Sequence, residues 1–262
     1  MKTMQGKISC LAVFCVTEGY FMSFLTITED LLAGFGISFL LFLGTLLLAI
    51  PLGLLFSFCS MSKLSVIRVP SRIFIWIIRG IPLMLFIFLI YYLPGLLGSE
   101  GMSIFDKIDV NATLAKMKET GESIELLWYG RFFAVLIAFV INYACYFSEI
   151  FRGGIESISR GQYEAGYVLG MTKTQVFFKV VLAQVVKRIV PAMSNEIITL
   201  VKDTALANAI AIPEIIFVAK RMANSSALIW PIFYSAVFYL IFVGILTILL
   251  GRVEKKLSYY NA

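Results

Sequence analysis

Long runs of apolar residues constrain the fold of this chain more than any other feature of its sequence. Residues 31–58 contain no charged side chain, and four further stretches are predominantly apolar. About 20 apolar residues in a row are enough to cross the hydrocarbon core of a bilayer. Such a run must be helical, because lipid offers no hydrogen-bond partners to an open backbone. With 60% hydrophobic and 15% charged residues, the sequence predicts an all-α, polytopic membrane protein.

About five transmembrane helices are predicted, with boundaries placed to within several residues. They cover residues 31–58, 64–94, 129–151, 188–212 and 228–250. Residues 1–30 include the apolar stretch ISCLAVFCV, which is too short to span and lacks a small-x-small cleavage site. We therefore expect residues 1–30 to form a lead-in segment, residues 31–257 the transmembrane domain and residues 258–262 a tail.

Basic residues set the predicted orientation, because lysine and arginine concentrate in cytoplasmic loops. They cluster after the first span, in residues 152–188 and after the last span, so these parts are expected in the cytoplasm. Lys220 and Arg221 then lie outside, against the trend. The loop 95–128 has three lysines and six acidic residues, which suits the outer face; the acids are Glu100, Asp106, Asp109, Glu119, Glu122 and Glu125. The N-terminus is expected outside and the C-terminus in the cytoplasm.

The sequence offers no constellation of catalytic or metal-binding residues. It has no histidine, so a nucleophile would need an unusual lysine or acidic partner. Its cysteines, Cys10, Cys15, Cys59 and Cys145, lack the spacing of a metal site. The stretch GMTKT at 170–174 lacks the glycine that precedes the lysine in a Walker A motif. We expect a non-catalytic subunit with no cofactor or metal of its own.

The stretch RGQYEAGYVLGMT, at 160–172 in the long cytoplasmic loop, predicts a short helix. Tyr163 and Tyr167 recur at helical spacing, and Gly170 supplies the permissive backbone of a helix end. Glu164 is expected in the first turn, where a negative charge suits the helix dipole. Such a helix either docks into a groove on a partner or lies as an ordinary interfacial helix with a solvated polar face.

The same stretch resembles the EAA loop of ABC importer permeases, which carries the helix that contacts the ATPase. Glu164, Ala165 and Gly170 match the family's pattern, as do Val180 and Leu182 at its late apolar pair. Two positions depart from it, because Gly166 replaces the second alanine and Ala183 replaces a proline. The resemblance implies that Glu164, Ala165, Gly166 and Gly170 form the ATPase-coupling site.

Three further segments resemble the polar amino acid importer permeases. They are IIRGIPLMLFIFLIYYLPG, NYACYFSEIFRGGIESISRGQYEAGYVLGM and NEIITLVKDTALANAIAIPEI. This resemblance implies a type I ABC importer permease fold in the bacterial cytoplasmic membrane. It also implies a second permease subunit, two ABC ATPase subunits that hold ATP and Mg, an external solute-binding protein and an amino acid substrate, with no nucleic acid. An ion-coupled carrier without an ATPase and a membrane scaffold are the alternatives.

Polar side chains inside the predicted spans mark a candidate substrate path, because such groups are costly in lipid unless they face protein or water. Within each span they repeat at helical spacing and so share one face. They are Asn142, Tyr146 and Glu149 in the third span, and Asn195, Thr199, Lys202 and Asp203 in the fourth. The competing interpretation is that these groups only hydrogen-bond one helix to another.

The most specific hypothesis for this path concerns Lys202 and Asp203. Lys202 lies 14 residues beyond Arg188, or about 20 Å along a helix, which is deep for a charge. A zwitterionic amino acid offers a carboxylate to Lys202 and an ammonium to Asp203. Alternatively, Asp203 or Glu149 forms a structural ion pair with Arg79, which precedes a helix break predicted at Pro82.

Overall fold

The protein is all-α within the residues described by its structure, a computed structural model covering residues 2–97, 104–120, 128–226 and 229–257. The helices are α1 (Lys2–Ser60), α2 (Ser65–Gly80), α3 (Leu83–Leu97), α4 (Ile104–Thr120), α5 (Tyr129–Glu156), α6 (Arg160–Val168), α7 (Lys173–Gln175), α8 (Leu182–Asp203), α9 (Ile215–Ser226) and α10 (Trp230–Leu257). A π-helical turn, Val176–Val181, precedes α8, and a 3-10 helix, Thr204–Ile210, follows it.

The first predicted span lies inside α1, which runs without interruption through the expected boundary between residues 30 and 31. Its part long and apolar enough to cross a membrane is Phe24–Ser60. The lead-in segment is therefore helical and continuous with the first span. Its location on the outer side stays a prediction.

Three helical segments in the described part of the chain are long and apolar enough to cross a membrane, or four if α2 and α3 count as one bent span. The fourth predicted span, residues 188–212, corresponds to α8 and the following 3-10 helix, which are too polar to count by composition alone. The fifth, residues 228–250, corresponds to α10, although residue 228 lies outside the described residues. A total of five spans stays a prediction.

The second predicted span is broken in its middle, as the sequence Arg79-Gly80-Ile81-Pro82 predicts. Ile81 is extended (φ −94°, ψ 130°), because the ring of a following proline disfavours helical geometry. α2 and α3 consequently meet at an angle of 107°. The bend opens backbone and side chains near Arg79 to the interior of the bundle.

α5 is the central helix, and glycines allow its neighbours to approach it closely. A Cβ on Gly53 of α1 would lie 2.8 Å from Cβ of Phe147 and 2.9 Å from the carbonyl oxygen of Ala144. About two turns beyond Phe147 along α5, a Cβ on Gly154 would lie 2.3 Å from Cγ2 of Ile189 in α8. Small residues at helix contacts are how membrane helices gain packing energy, since lipid supplies little drive for association.

The loop predicted on the outer face contains α4, which holds the beginning of α5. Asp109 is fully buried; its carboxylate accepts hydrogen bonds from the backbone N–H of Gly130 (2.6 Å) and from Nε of Arg131 (3.0 Å). Asp109 thus satisfies an orphan donor at the start of α5. The predicted loop acids Glu100, Glu122 and Glu125 and the tail 258–262 lie outside the described residues.

Packing at Gly53 is testable by adding one methyl group. Gly53→Ala is expected to lower the free energy of unfolding by about 1–3 kcal/mol, since the new Cβ meets backbone and a stem carbon that cannot move aside. Gly244→Ala in α10 is the matched control, because its Cβ meets nothing within 4 Å. Thermal unfolding of the purified variants measures both; equal stability of the two variants would contradict the close α1–α5 contact.

Candidate functional site: a charged cavity and the helix beneath it

A cavity of about 450 Å³ lies where the α2–α3 break, α5 and α8 meet. Its volume falls in the range of about 300–1,000 Å³ that small-molecule sites occupy. Charged, hydroxyl and amide groups share its wall with apolar side chains. The lining residues are Arg79, Gly80, Ile81, Pro82, Leu83, Asn142, Tyr143, Tyr146, Glu196, Thr199 and Asp203.

Four of the residues predicted for the substrate path border this cavity together: Asn142, Tyr146, Thr199 and Asp203. Lys202, predicted for the same path, does not border this cavity. Its side chain is exposed on α8 and is absent from the cavity wall, because it lies one residue, or about 100°, around the helix from Asp203.

Arg79 stands at the end of α2, just before the break, and is held by two groups of α5. Its guanidinium carbon lies 5.0 Å from the centre of the Tyr146 ring, within the range of a cation–π contact. Its Nη1 lies 3.7 Å from Oε2 of Glu149. Of the two acidic partners predicted for Arg79, the structure therefore selects Glu149 over Asp203.

Glu149 belongs to a ladder of charges that continues down α5, away from the cavity. Arg152 donates to both of its carboxylate oxygens, from Nη2 at 2.5 Å and Nε at 3.2 Å. Arg152 also reaches Glu156 at 2.8 Å. Glu149 does not border the 450 Å³ cavity; it borders two neighbouring cavities of about 220 and 380 Å³, the first shared with Arg79. The contact between Arg79 and Glu149 thus lies at the junction of three cavities.

Two polar residues of the cavity wall were missed from the sequence, Tyr143 and Glu196. The hydroxyl of Tyr143, a fully buried residue, donates a hydrogen bond to Oδ2 of Asp203 at 2.6 Å. Glu196 makes no hydrogen bond or ion pair with any residue in the described ranges. The spacing of residues 196, 199 and 203 was the available signal, since steps of three and four also define one helical face.

The predicted coupling helix is present as α6, and Gly170 ends it. The N–H of Met171 donates to the carbonyl of Gly166 at 3.1 Å, and the N–H of Gly170 donates to the carbonyl of Tyr167 at 2.9 Å. Gly170 adopts φ +75°, so the two bonds form a Schellman motif around a left-handed residue. Glu164 lies in the second turn instead of the first expected from the sequence, since α6 begins at Arg160.

The departure of Gly166 from the family's alanine has a structural cause. Gly166 is buried, and a Cβ there would lie 2.6 Å from Cγ2 of Val176. Val176 is itself fully buried among Ile158, Val181 and Val185. The absence of a side chain at Gly166 therefore lets α6 lie directly on the turn that begins α8.

Beyond this buried contact, two polar contacts hold α6, α8 and the end of α5 together. Gln184 of α8 donates from Nε2 to Oε1 of Gln162 in α6 at 2.9 Å. Arg188 of α8 donates to the carbonyl of Ser157, the residue that follows α5. The first contact fixes α6 to α8, and the second fixes α8 to the end of α5.

Away from the buried Gly166, the C-terminal end of α6 is exposed and apolar. Val168 is 88% exposed and Leu169 is 79% exposed. The predicted coupling residues Glu164 and Ala165 are also exposed. Val168 and Leu169 thus leave an apolar surface at the tip of α6 that no other described residue covers.

A family model described as "binding-protein-dependent transport system inner membrane component" matches residues 49–259. The chain belongs to this family. The permease is 32% identical to the L-cystine transport system permease protein TcyB of Bacillus subtilis, over 80% of this chain and 79% of the relative. It is 30% identical to the arginine ABC transporter permease protein ArtM of Haemophilus influenzae, over 85% of this chain and 90% of that protein.

Solved structures agree with this assignment. The permease superposes on the crystal structure of an amino acid ABC transporter with histidines, with a TM-score of 0.70 and 25% identity, covering 90% of this chain and 98% of the other. It also matches the MetNI methionine ABC transporter in an inward-facing form, with a TM-score of 0.56 and 17% identity over 88% and 95% of the two chains, which shows the fold alone. The predicted type I ABC importer permease fold is therefore confirmed.

The packing of α6 against Val176 can be tested directly at Gly166. Gly166→Ala is expected to lower the free energy of unfolding by about 1–3 kcal/mol, because the β-branched Val176 has little freedom to turn away. Gly161→Ala, in the same helix but with open space around its Cβ, is the control and should leave stability unchanged or raise it by about 0.5–1 kcal/mol. Thermal unfolding of both proteins decides; a neutral Gly166→Ala would show that α6 does not lie on Val176.

Proposed function

We propose that this permease forms the translocation path of an ATP-driven importer for polar amino acids, and that α6 receives the movement of the ATPase. The main support for this proposal is that one cavity of suitable size presents charges of both signs. Two of the helices that line it, α5 and α8, are connected to α6 at their other ends. The proposed assembly contains a second permease subunit, two ABC ATPases that bind ATP and Mg, and an external solute-binding protein.

The cavity chemistry supports an amino acid as cargo. Arg79 offers a planar set of donors that suits a carboxylate, and Asp203 offers an acceptor for an ammonium group. Asn142 and Thr199 add neutral polar groups to the same wall. A few polar groups in a partly apolar cavity are typical of sites that fix the orientation of a small ligand.

The position of α6 in the chain supports coupling. Residues 157–159 join it to α5, and residues 169–181 join it to α8, and both of those helices border the cavity. A displacement of α6 therefore acts on both walls through packed contacts, which transmit strain because protein interiors are close-packed. The exposed apolar tip of α6 and Glu164 beside it are the proposed contact with the ATPase, on the cytoplasmic side.

The ATPase contact is testable at Val168. Val168→Asp is expected to abolish co-purification of the ATPase and ATP-dependent uptake, because it places a charge in an apolar contact while touching nothing buried in the permease. Leu64→Asp is the control: Leu64 is 64% exposed and precedes α2, where an aspartate suits a helix start. Normal ATPase binding by Val168→Asp would exclude the tip of α6 as the docking surface.

The cargo contact is testable at Arg79. Arg79→Gln is expected to reduce uptake at least about tenfold, the effect of losing one charge-assisted hydrogen bond, while the complex still assembles because Arg152 continues to neutralise Glu149. Arg252→Gln, which removes an exposed arginine from α10, is the control. Uptake of tritiated L-arginine, L-glutamine or L-histidine by proteoliposomes holding the complete transporter is the measurement. Uptake by Arg79→Gln at the parent's rate would remove Arg79 from the path.

A further inference from the structure

The charges that border the cavity do not balance. Two carboxylates, Glu196 and Asp203, face it together with a single guanidinium, Arg79. None of the other residues that line the cavity is a lysine, an arginine or an acidic residue. The cavity wall therefore carries one negative charge in excess.

No cation in the described part of the chain pairs with either cavity carboxylate. Neither Glu196 nor Asp203 has a lysine or arginine nitrogen within 4.0 Å among the described residues. Lys202, the neighbour of Asp203 in the sequence, is exposed and does not border the cavity. Asp203 has one hydrogen bond, from the neutral hydroxyl of Tyr143. Arg79 is turned toward Glu149 and the Tyr146 ring, so it does not compensate the two carboxylates by direct contact.

The two carboxylates are also too far apart along α8 to share one small cation. Residues 196 and 203 are separated by two helical turns, a rise of about 10 Å, on one face of the helix. Thr199 lies between them and borders the cavity as well. The arrangement suits an elongated molecule with a positive group at each end of this line.

We infer that the cargo is a cationic amino acid with one net positive charge, an inference that rests on the proposed function. Its α-carboxylate binds Arg79, its α-ammonium binds Asp203, and its side-chain cation binds Glu196. Each of the three charged side chains of the cavity wall is then paired with an opposite charge, and the excess negative charge is neutralised. A neutral amino acid leaves one carboxylate without a counter-charge in a partly desolvated site, which is unfavourable.

Family membership does not make this choice, because the relatives differ in cargo charge. Their names give L-cystine, octopine and arginine. L-Cystine and octopine each carry more than one carboxylate, and a second carboxylate in this cavity would meet Glu196 or Asp203 instead of a cation. The charge pattern of the wall therefore favours a cargo of the arginine or lysine type.

L-Arginine and L-citrulline provide a matched pair of probes, since they have nearly the same shape and differ in the charge of the side-chain end. The complex of permease and ATPase is used in nanodiscs without the external binding protein, so that only the membrane cavity discriminates between the two amino acids. Equilibrium dialysis with labelled amino acids measures binding. L-Arginine is expected to bind roughly ten- to a hundredfold more tightly than L-citrulline, the range of a hydrogen bond to a charged group.

Glu196→Gln locates the source of this preference. The change is nearly isosteric, and it should bring the two affinities to within about threefold of each other, chiefly by weakening L-arginine. Glu156→Gln is the control, since it removes a carboxylate that lies on α5 outside the cavity wall. This control should keep the parent's preference, and thermal unfolding of the variants checks that the fold is intact.

The outcomes separate this inference from the proposed function. Equal binding of L-arginine and L-citrulline by the parent overturns the inference of a cationic cargo and leaves the cavity as a path for a neutral one. A preference for L-arginine that is unchanged in Glu196→Gln overturns the assignment of Glu196 as the partner of the side-chain cation. Binding of neither amino acid overturns the assignment too. If Arg79→Gln then also transports normally, the cavity itself is not the path.

Discussion

The close packing of neighbouring helices around α5 is the constraint on which the rest of the structure depends. Gly53 brings α1 against the middle of α5, and Gly154 brings α8 against α5 about two turns further along. Membrane helices associate mainly through such packing, because lipid is as apolar as their side chains. With these faces covered, the cavity is confined to the side of α5 where the helix break between α2 and α3 leaves space.

Charges inside this bundle follow from the same packing. A charged group is tolerated at membrane depth when it has a partner or faces a water-filled cavity. Arg79, Glu149, Arg152 and Glu156 form a continuous ladder of contacts, whereas Glu196 has no such contact in the described ranges and faces the cavity. The ladder is therefore structural along most of its length, and the open carboxylate is the group to which the inferred cargo brings its side-chain cation.

Local signals in the sequence predicted much of this architecture, because each acts over a few residues. Pro82 fixes the break, Gly170 fixes the end of α6, and long apolar runs fix the helices. The face of α8 was predicted only in part: Thr199 and Asp203 border the cavity as expected, but Glu196 joins them instead of Asn195 and Lys202. Both sets of residues have helical spacing. A helix's own polar residues do not determine its rotation when two stripes are equally spaced; packing against α5 does.

Gly166 shows a second limit of the sequence. Its role depends on Val176, and that contact exists only once the chain has folded back on itself. The continuity of α1 through residue 30 has a related cause, since a boundary in composition need not interrupt a helix that tertiary contacts stabilise. The predicted orientation and the side on which each terminus lies rest on the distribution of lysine and arginine alone.

The central claim is that movement of the ATPase changes access to the cavity between α5 and α8. The most direct measurement is the alkylation rate of Thr199→Cys by a membrane-impermeant thiol reagent, in the complete transporter after replacement of the four native cysteines. Trapping the ATPase with vanadate and Mg-ATP should change this rate severalfold relative to the nucleotide-free state, and Val168→Asp should abolish the change. An alkylation rate that is the same in both states of the parent, with uptake intact, would contradict the account.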